Sequence, residues 1–276
     1  MVNRRSPAKT VGEPTVAAES EGLAVDGGGG VRSVQRALDI LNLLSEERPQ
    51  ITIRDIVDST GLAKTTVIRL TQTLVQAGLL WATESGYMAG PGLWRWAHLA
   101  RNAWELPPEF RSMLTDMARE HQETVNLYIR RDIRRLCIAQ AESPRALRHV
   151  VNVGDEFPMW AGASAKVLLA DVDEGLLARV VAGAPPGRCE LVDLREAVVA
   201  AKQAGYAVSH GERELGVSAV AVPVHDDGRV IAALSMSGAT ARFTEDRIPD
   251  FASTLRSAAV AMSGRALGTA VKGASV

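Results

Sequence analysis

The sequence predicts an α+β chain in two parts, a small helical head closed by a β-hairpin and a larger antiparallel sheet flanked by helices. Three observations predict it. Apolar residues recur at three- and four-residue spacing in three successive stretches between residues 31 and 76, with a glycine ahead of the third. Two short apolar runs around the polar stretch 82–85 come next. From residue 124 onward, short β-rich runs alternate with helical stretches.

Each element has a local cause. Val34, Ala37, Leu38, Leu41 and Leu44 form the stripe of a first helix that Pro49 is expected to stop. A second, shorter helix carries Ile53, Ile56 and Val57, with Thr52 as N-cap. Gly61 supplies the left-handed C-cap. The third helix runs over 63–76, buries Val67, Leu70 and Leu74, and ends at Gly78. Leu79-Leu80-Trp81 and Gly86-Tyr87-Met88 then read as a hairpin. Three helices, a glycine turn before the third, and a hairpin are the order of a winged helix-turn-helix.

After Gly90-Pro91-Gly92 a tryptophan-rich stretch, 93–106, reads as a connecting helix, and Pro107-Pro108 breaks it and starts another over 109–122. Strands are expected at 125–129, 136–141, 147–153, 206–209, 217–224 and 230–237, the last two joined at Asp226-Asp227-Gly228. Helices are expected at 161–170, 173–182, 194–204 and 244–267. The domain plan is therefore a tail at 1–30, a winged helix-turn-helix head at 31–90, a linker helix at 91–106, a larger α+β domain at 107–267 and a tail at 268–276.

Composition excludes some classes and leaves others open. No apolar run reaches the roughly 20 residues of a membrane span, and Arg4, Arg5 and Lys9 are not followed by the apolar core of a signal peptide, so a cytoplasmic protein without a membrane partner is expected. Cys137 and Cys189 are too few for a disulfide framework. The net charge of −1 announces no nucleic-acid binder. Between residues 31 and 90, Arg32, Arg36, Arg48, Arg54, Lys64 and Arg69 are balanced by Asp39, Glu46, Glu47, Asp55, Asp58 and Glu84. Phosphate binding must then rest on where the charges lie.

The third helix answers that requirement. With Val67, Leu70 and Leu74 inward, Lys64, Thr65, Thr66 and Arg69 fall at its exposed N-terminal end, which such helices present to the major groove. Arg69 has the fork for guanine, the threonine hydroxyls suit phosphates or base edges, and Lys64 suits a phosphate. Arg32 and Arg36 on the first helix can add phosphate contacts. The expected partner is a double-stranded DNA operator. A protein-interaction module without specific DNA binding is the alternative that the balanced charge keeps open.

The chain resembles the IclR family of bacterial transcription regulators from about residue 31 to 267. The resemblance is carried by Arg36-Ala37-Leu38-Asp39-Ile40-Leu41, by the run from Thr60 to Leu70, and by Val153-Gly154-Asp155-Glu156-Phe157-Pro158. Further carriers are the run from Ala163 to Ala170, Gly205-Tyr206-Ala207-Val208, the run from Glu212 to Val217, and Ala221-Val222-Pro223-Val224. It implies a GAF-like effector domain, a homodimer or dimer of dimers, and repression or activation governed by a small, often acidic metabolite, an organic or amino acid. The runs from Gly211 to Glu214 and from Leu127 to Arg131 look most like actinobacterial regulators of amino-acid biosynthesis, leucine included. Two departures from the pattern, Ala165 in place of glycine and Ser209-His210 in place of an acidic pair, fall near the expected pocket.

That pocket, by the resemblance, maps onto Met159, Ala161, Gly162 and Ala163, then Ser209, Ala219, Ser235 and Ser237. The residues suit it. A helix start at Gly162-Ala163-Ser164 would offer free N–H groups to a carboxylate, Ser235 and Ser237 share one face of a strand, and Met159 and Trp160 could wall it. An enzyme is not expected. Ser209 and His210 point to opposite faces, there is no Gly-x-Ser-x-Gly, Walker or His-Glu-x-x-His motif, and the five histidines show no metal-ligand spacing, so no cofactor and no metal is expected. The apolar excess of the connecting helix (Leu93, Trp94, Trp96, Ala97, Leu99, Ala100, Trp104) suggests a dimer contact that sets the spacing of the heads.

Overall fold

The computed structural model describes residues 31–45 and 47–263, so the tails expected at 1–30 and 268–276, and the last turn expected of the final helix, lie outside the described residues. Two compact units divide between Trp94 and Arg95.

The first unit contains α1 (Arg32–Leu41), β1 (Gln50–Ile51), α2 (Ile53–Thr60), α3 (Lys64–Gln76), β2 (Leu80–Thr83) and β3 (Gly86–Ala89). Helix α1 ends well before Pro49, because the chain tightens through Leu43 N–H to Ile40 C=O and Leu44 N–H to Leu41 C=O. Thr52 and Asp55 form a complete capping box at the start of α2: the threonine hydroxyl accepts from Asp55 N (3.1 Å) and the carboxylate accepts from Thr52 N (2.8 Å). Gly61 ends α2 at φ +67°, a conformation in which a Cβ is strained, and so turns the chain directly into α3. Ile40, Ile51, Ile56, Val67, Leu74 and Leu80 are the buried core. At roughly 1.5–3 kcal/mol for each fully buried aliphatic side chain, that core holds α3 against α1 and α2. The hairpin is joined by a third strand, in the order β1-β3-β2.

Helix α4 (Leu93–Trp104) straddles the division between the units. The second unit continues with α5 (Pro108–His121), β4 (Thr124–Arg131), β5 (Arg134–Ala141), β6 (Glu156–Pro158), α6 (Ala163–Leu168), α7 (Glu174–Ala182), α8 (Leu191–Ala204), β7 (Ala207–His210), β8 (Val217–Asp226), β9 (Arg229–Ala239), a 3-10 turn and α9 (Ile248–Met262). The six strands form one antiparallel sheet in the order β6-β5-β4-β9-β8-β7. The β8–β9 hairpin closes with Asp226 opposite Arg229. Asp227 and Gly228 both have positive φ, the turn expected for Asp-Gly.

The strand expected at 147–153 is not formed. Leu147, Val150 and Val153 are all more than half exposed, so pairing would have buried nothing with them. The edge strand is instead the short β6, whose Phe157 stands opposite Arg135.

Alternation divides the sheet by size. On one face Val220, Val222, Val224, Leu234 and Met236 pack with α5 and α9. On the other Ala221 and Ala233 meet α6, α7 and α8. Small residues on this second face, with Ser235 and Ser237 further along β9, let α6 approach closely and leave space beside it.

Candidate nucleic-acid interface and effector cavity

The first unit resolves its formal neutrality by local pairing. Arg48 lies 3.2 Å from Asp55 and Arg54 lies 3.6 Å from Asp58. Hydrogen bonds from Thr52, with Arg48 beside it, hold the Asp55 carboxyl below the usual carboxylate range. Arg32, Arg36, Lys64 and Arg69 form no ion pair among the described residues, and all four are exposed. Thr65 is exposed and Thr66 half-buried in the first turn of α3, which contains no acidic residue and no side-chain cap. Its positive end is thus left to solvent. The bases with no counter-ion are the six expected contact residues' four cations, while the two bases not singled out are the ones neutralised.

In the second unit, a small cavity beside α6 is bordered by Gly162, Ala163, Ser209, Ala219, Ser235 and Ser237, six of the residues expected there. Met159 and Ala161, also expected there, do not border it. Met159 is fully buried in the core, and Ala161 gives its carbonyl to Arg135 at 2.8 Å. The N–H groups expected to be free at Gly162 are not all so: Glu212 accepts from Gly162 N at 2.8 Å, and its other oxygen meets Lys166 Nζ at 2.5 Å. An internal carboxylate therefore holds the position foreseen for a ligand.

The cavity also has a charged lining that sequence reasoning missed. Arg135, His149, Glu212, Arg213 and Tyr128 all border it. Ser237 Oγ accepts from Asn126 Nδ2 (3.1 Å) and lies 2.9 Å from His149 Nδ1, while His149 Nε2 faces Arg213 Nη2 at 2.9 Å. Burial, reinforced by Arg213, lowers the pKa of His149. A neutral imidazole accepting from Arg213 at Nε2 and donating to Ser237 from Nδ1 satisfies all three groups. Arg213 also stacks 4.4 Å from the Phe157 ring centroid. Burial pushes Arg135 down to about 10, which leaves it charged at neutral pH. Ser209 is buried and its neighbour His210 is exposed, bonded to Ser218 Oγ at 2.9 Å, so the two do not form a proton-sharing pair.

Residues 33–81 match the model of the IclR helix-turn-helix domain, and residues 101–264 match that of the bacterial transcriptional regulator IclR C-terminal domain. The HTH-type transcriptional regulator XynR of Escherichia coli (strain K12) is 32% identical over 247 residues, 86% of this chain and 98% of its own. A solved transcriptional regulator of the same family from Rhodococcus sp. is 38% identical, with a TM-score of 0.57 over 94% of this chain and 98% of that one. An IclR homolog complexed with 4-hydroxybenzoate, from Microbacterium hydrocarbonoxydans, shares the fold at 21% identity, with a TM-score of 0.67 over 87% of this chain and 99% of that one.

Proposed function

The chain belongs to the IclR family of bacterial transcriptional regulators, and from that premise we propose how its own residues read DNA and sense a metabolite. It is a DNA-binding transcription regulator with a C-terminal effector-binding domain. In the proposed arrangement α3 enters the major groove of a double-stranded operator. Arg69 and the Thr65 and Thr66 hydroxyls face bases or phosphates, and Lys64, Arg32 and Arg36 take phosphates. The observation that carries this reading is the set of four exposed bases on α1 and α3 that have no counter-ion among the described residues.

The effector, a small organic or amino acid, occupies the cavity at Gly162, Ala163, Ser209, Ala219, Ser235 and Ser237, with Met159 and Ala161 supporting its wall. Its binding changes operator affinity through differential affinity for two arrangements of the heads. One head reads only a short half-site, so a homodimer or dimer of dimers is part of the reading. Helix α4 supports it: the chain buries none of its residues, and Trp94, Trp96 and Leu99 are 79%, 58% and 49% exposed. The protein works in the cytoplasm, where its DNA is, and returns its ligand unchanged. No helix among the described residues is long and apolar enough to cross a membrane.

The test is calorimetry of the purified protein against branched-chain amino acids, 2-keto acids and aromatic acids, each hit then titrated against binding to the gene's own upstream DNA. A ligand that shifts operator affinity and is recovered intact is expected. Absence of any binding, or binding that never moves operator affinity, refutes the sensor.

A further inference from the structure

Helix α3 presents a longer polar face than its first turns account for. Its buried residues are Val67, Thr71 and Leu74, and none of its thirteen residues, Lys64–Gln76, is acidic. At about 100° per residue, Thr65, Arg69 and Gln72 fall within about 60° of arc, on the side opposite those buried residues. All three are exposed. Lys64 stands about 100° round from Thr65, on the flank of that face, where a phosphate is in better reach than a base.

The other polar side chains in the later turns of α3 are spent or out of reach. Thr71 is fully buried, with its hydroxyl 3.0 Å from the carbonyls of Val67 and Ile68. Thr73 is exposed, but its hydroxyl donates to the Arg69 carbonyl at 3.0 Å. The Gln72 side chain bonds to nothing among the described residues, so its amide keeps both donors and its acceptor. Along the helix axis Gln72 lies about 10.5 Å beyond Thr65, within the roughly 12 Å width of a major groove. Gln76 points the same way but lies about 16.5 Å beyond Thr65, outside that width.

We propose that Gln72 is a specificity-determining residue that reads an adenine close to the guanine taken by Arg69. This rests on the reading of α3 as the helix that enters the major groove. The amide meets adenine at two points, Nε2–H donating to N7 and Oε1 accepting from the N6 amino group. Three residues separate Gln72 from Arg69, about 4.5 Å of helix against about 3.4 Å per base pair, so the two target pairs lie no more than two steps apart. The half-site is thereby given two fixed letters instead of one.

The test is selection of duplexes from a random DNA pool by the full chain, followed by titration of duplexes that differ from the selected one at a single base pair. The parent should enrich, in each half-site, a G·C pair and an A·T pair within two steps of each other. Arg69→Ala should lose the preference at the first pair and keep it at the second. Gln72→Ala should do the reverse, with a loss of roughly 5- to 150-fold in discrimination at the A·T pair alone. Gln72→Glu should move the preference at that position to cytosine, whose N4 amino group donates to a carboxylate. The ratio of affinities is read within each variant, so a uniform weakening by the added negative charge cancels. Native circular dichroism is expected of both Gln72 variants, since the side chain is exposed and packs nothing. If Arg69→Ala changes the selected sequence and Gln72→Ala leaves every preference as in the parent, the role of Gln72 is overturned and the reading of α3 stands. If neither variant changes it, or the parent enriches no sequence, the reading of α3 falls and this proposal with it.

Discussion

Gly238→Ala should destabilise the effector-binding domain far more than one added methyl suggests. Glu123 is fully buried and makes a two-point contact with Arg242, at 2.5 Å to Nε and 2.7 Å to Nη2. A Cβ on Gly238 would stand 1.9 Å from Glu123 Oε2, 2.9 Å from Cδ and 3.0 Å from Arg242 Nη2. No small adjustment relieves a 1.9 Å approach, so the carboxylate must leave its partner. Breaking a buried ion pair costs about 3–5 kcal/mol. The Arg242 side chain keeps 18% of its exposure and can be partly rehydrated, which places the loss near the lower end, about 3 kcal/mol. For a domain of this size that corresponds to a fall in melting temperature of roughly 6–12 °C. The assay is thermal and urea unfolding of the full chain, followed by a double-mutant cycle. In a Glu123→Ala background the same glycine substitution has no carboxylate to displace and should cost little beyond the first change. A loss below about 2 °C, or an equal loss in both backgrounds, refutes the reasoning. The consequence reaches the cavity as well. Gly238 follows Ser237 in β9, and Thr124, next to Glu123, holds the His149 carbonyl at 2.8 Å.

Further perturbations probe separate pieces. Thr52→Ala removes the cap of α2 and should cost the helix-turn-helix about 1 kcal/mol, with Thr52→Ser nearly neutral; equal losses in the two variants, read from the unfolding of residues 31–90, would exclude the cap as the cause. His149 binds a proton more weakly in the folded chain than its ordinary value of 6.5, so its contribution to stability is present above that value and declines as pH falls below it. Urea midpoints should therefore drop between about pH 7 and pH 5, and His149→Gln should flatten that drop. An unchanged slope in the variant would show that other groups carry it.

Much of the head was legible because its signals are local. The stripe at Val67–Leu70–Leu74, the cap at Thr52 and the turn at Gly61 each act within a few residues, whereas the stripe of α1 marked a helix but misjudged its buried face, since Val34 and Leu38 are exposed and Ile40 is the residue buried. Strand β1 was not legible, since two residues, Gln50 and Ile51, carry no periodicity and pair only because β3 lies beside them. The stretch around 147–153 misled for the opposite reason: its apolar side chains suggest a strand, but Leu147, Val150 and Val153 are exposed and Val151 alone is buried, from a segment that pairs with no strand. The cavity's small residues followed from the family resemblance and strand alternation, whereas its charges did not. Arg135, His149 and Arg213 are far apart in sequence and each reads alone as a solvated surface residue. One signal was available. Arg135 and Cys137 stand two apart on β5 and so share a face, and Cys137 is fully buried in the core. An arginine on the core face of a strand requires either an anion or an opening.

The central claim is that α3 reads DNA with the exposed bases on it and on α1 that form no ion pair among the described residues. Its direct measurement is binding of the full chain to the gene's own upstream DNA, titrated across salt for the parent, Lys64→Ala and Arg69→Ala. Each lost phosphate contact lowers the log–log salt slope by about 0.9, so Lys64→Ala in a dimer should lower it by about 2. Arg69→Ala should weaken operator binding by about 1–3 kcal/mol per half-site if it forks onto guanine, with native circular dichroism retained. Folded variants that bind the operator with the parent's affinity and salt slope would contradict the account.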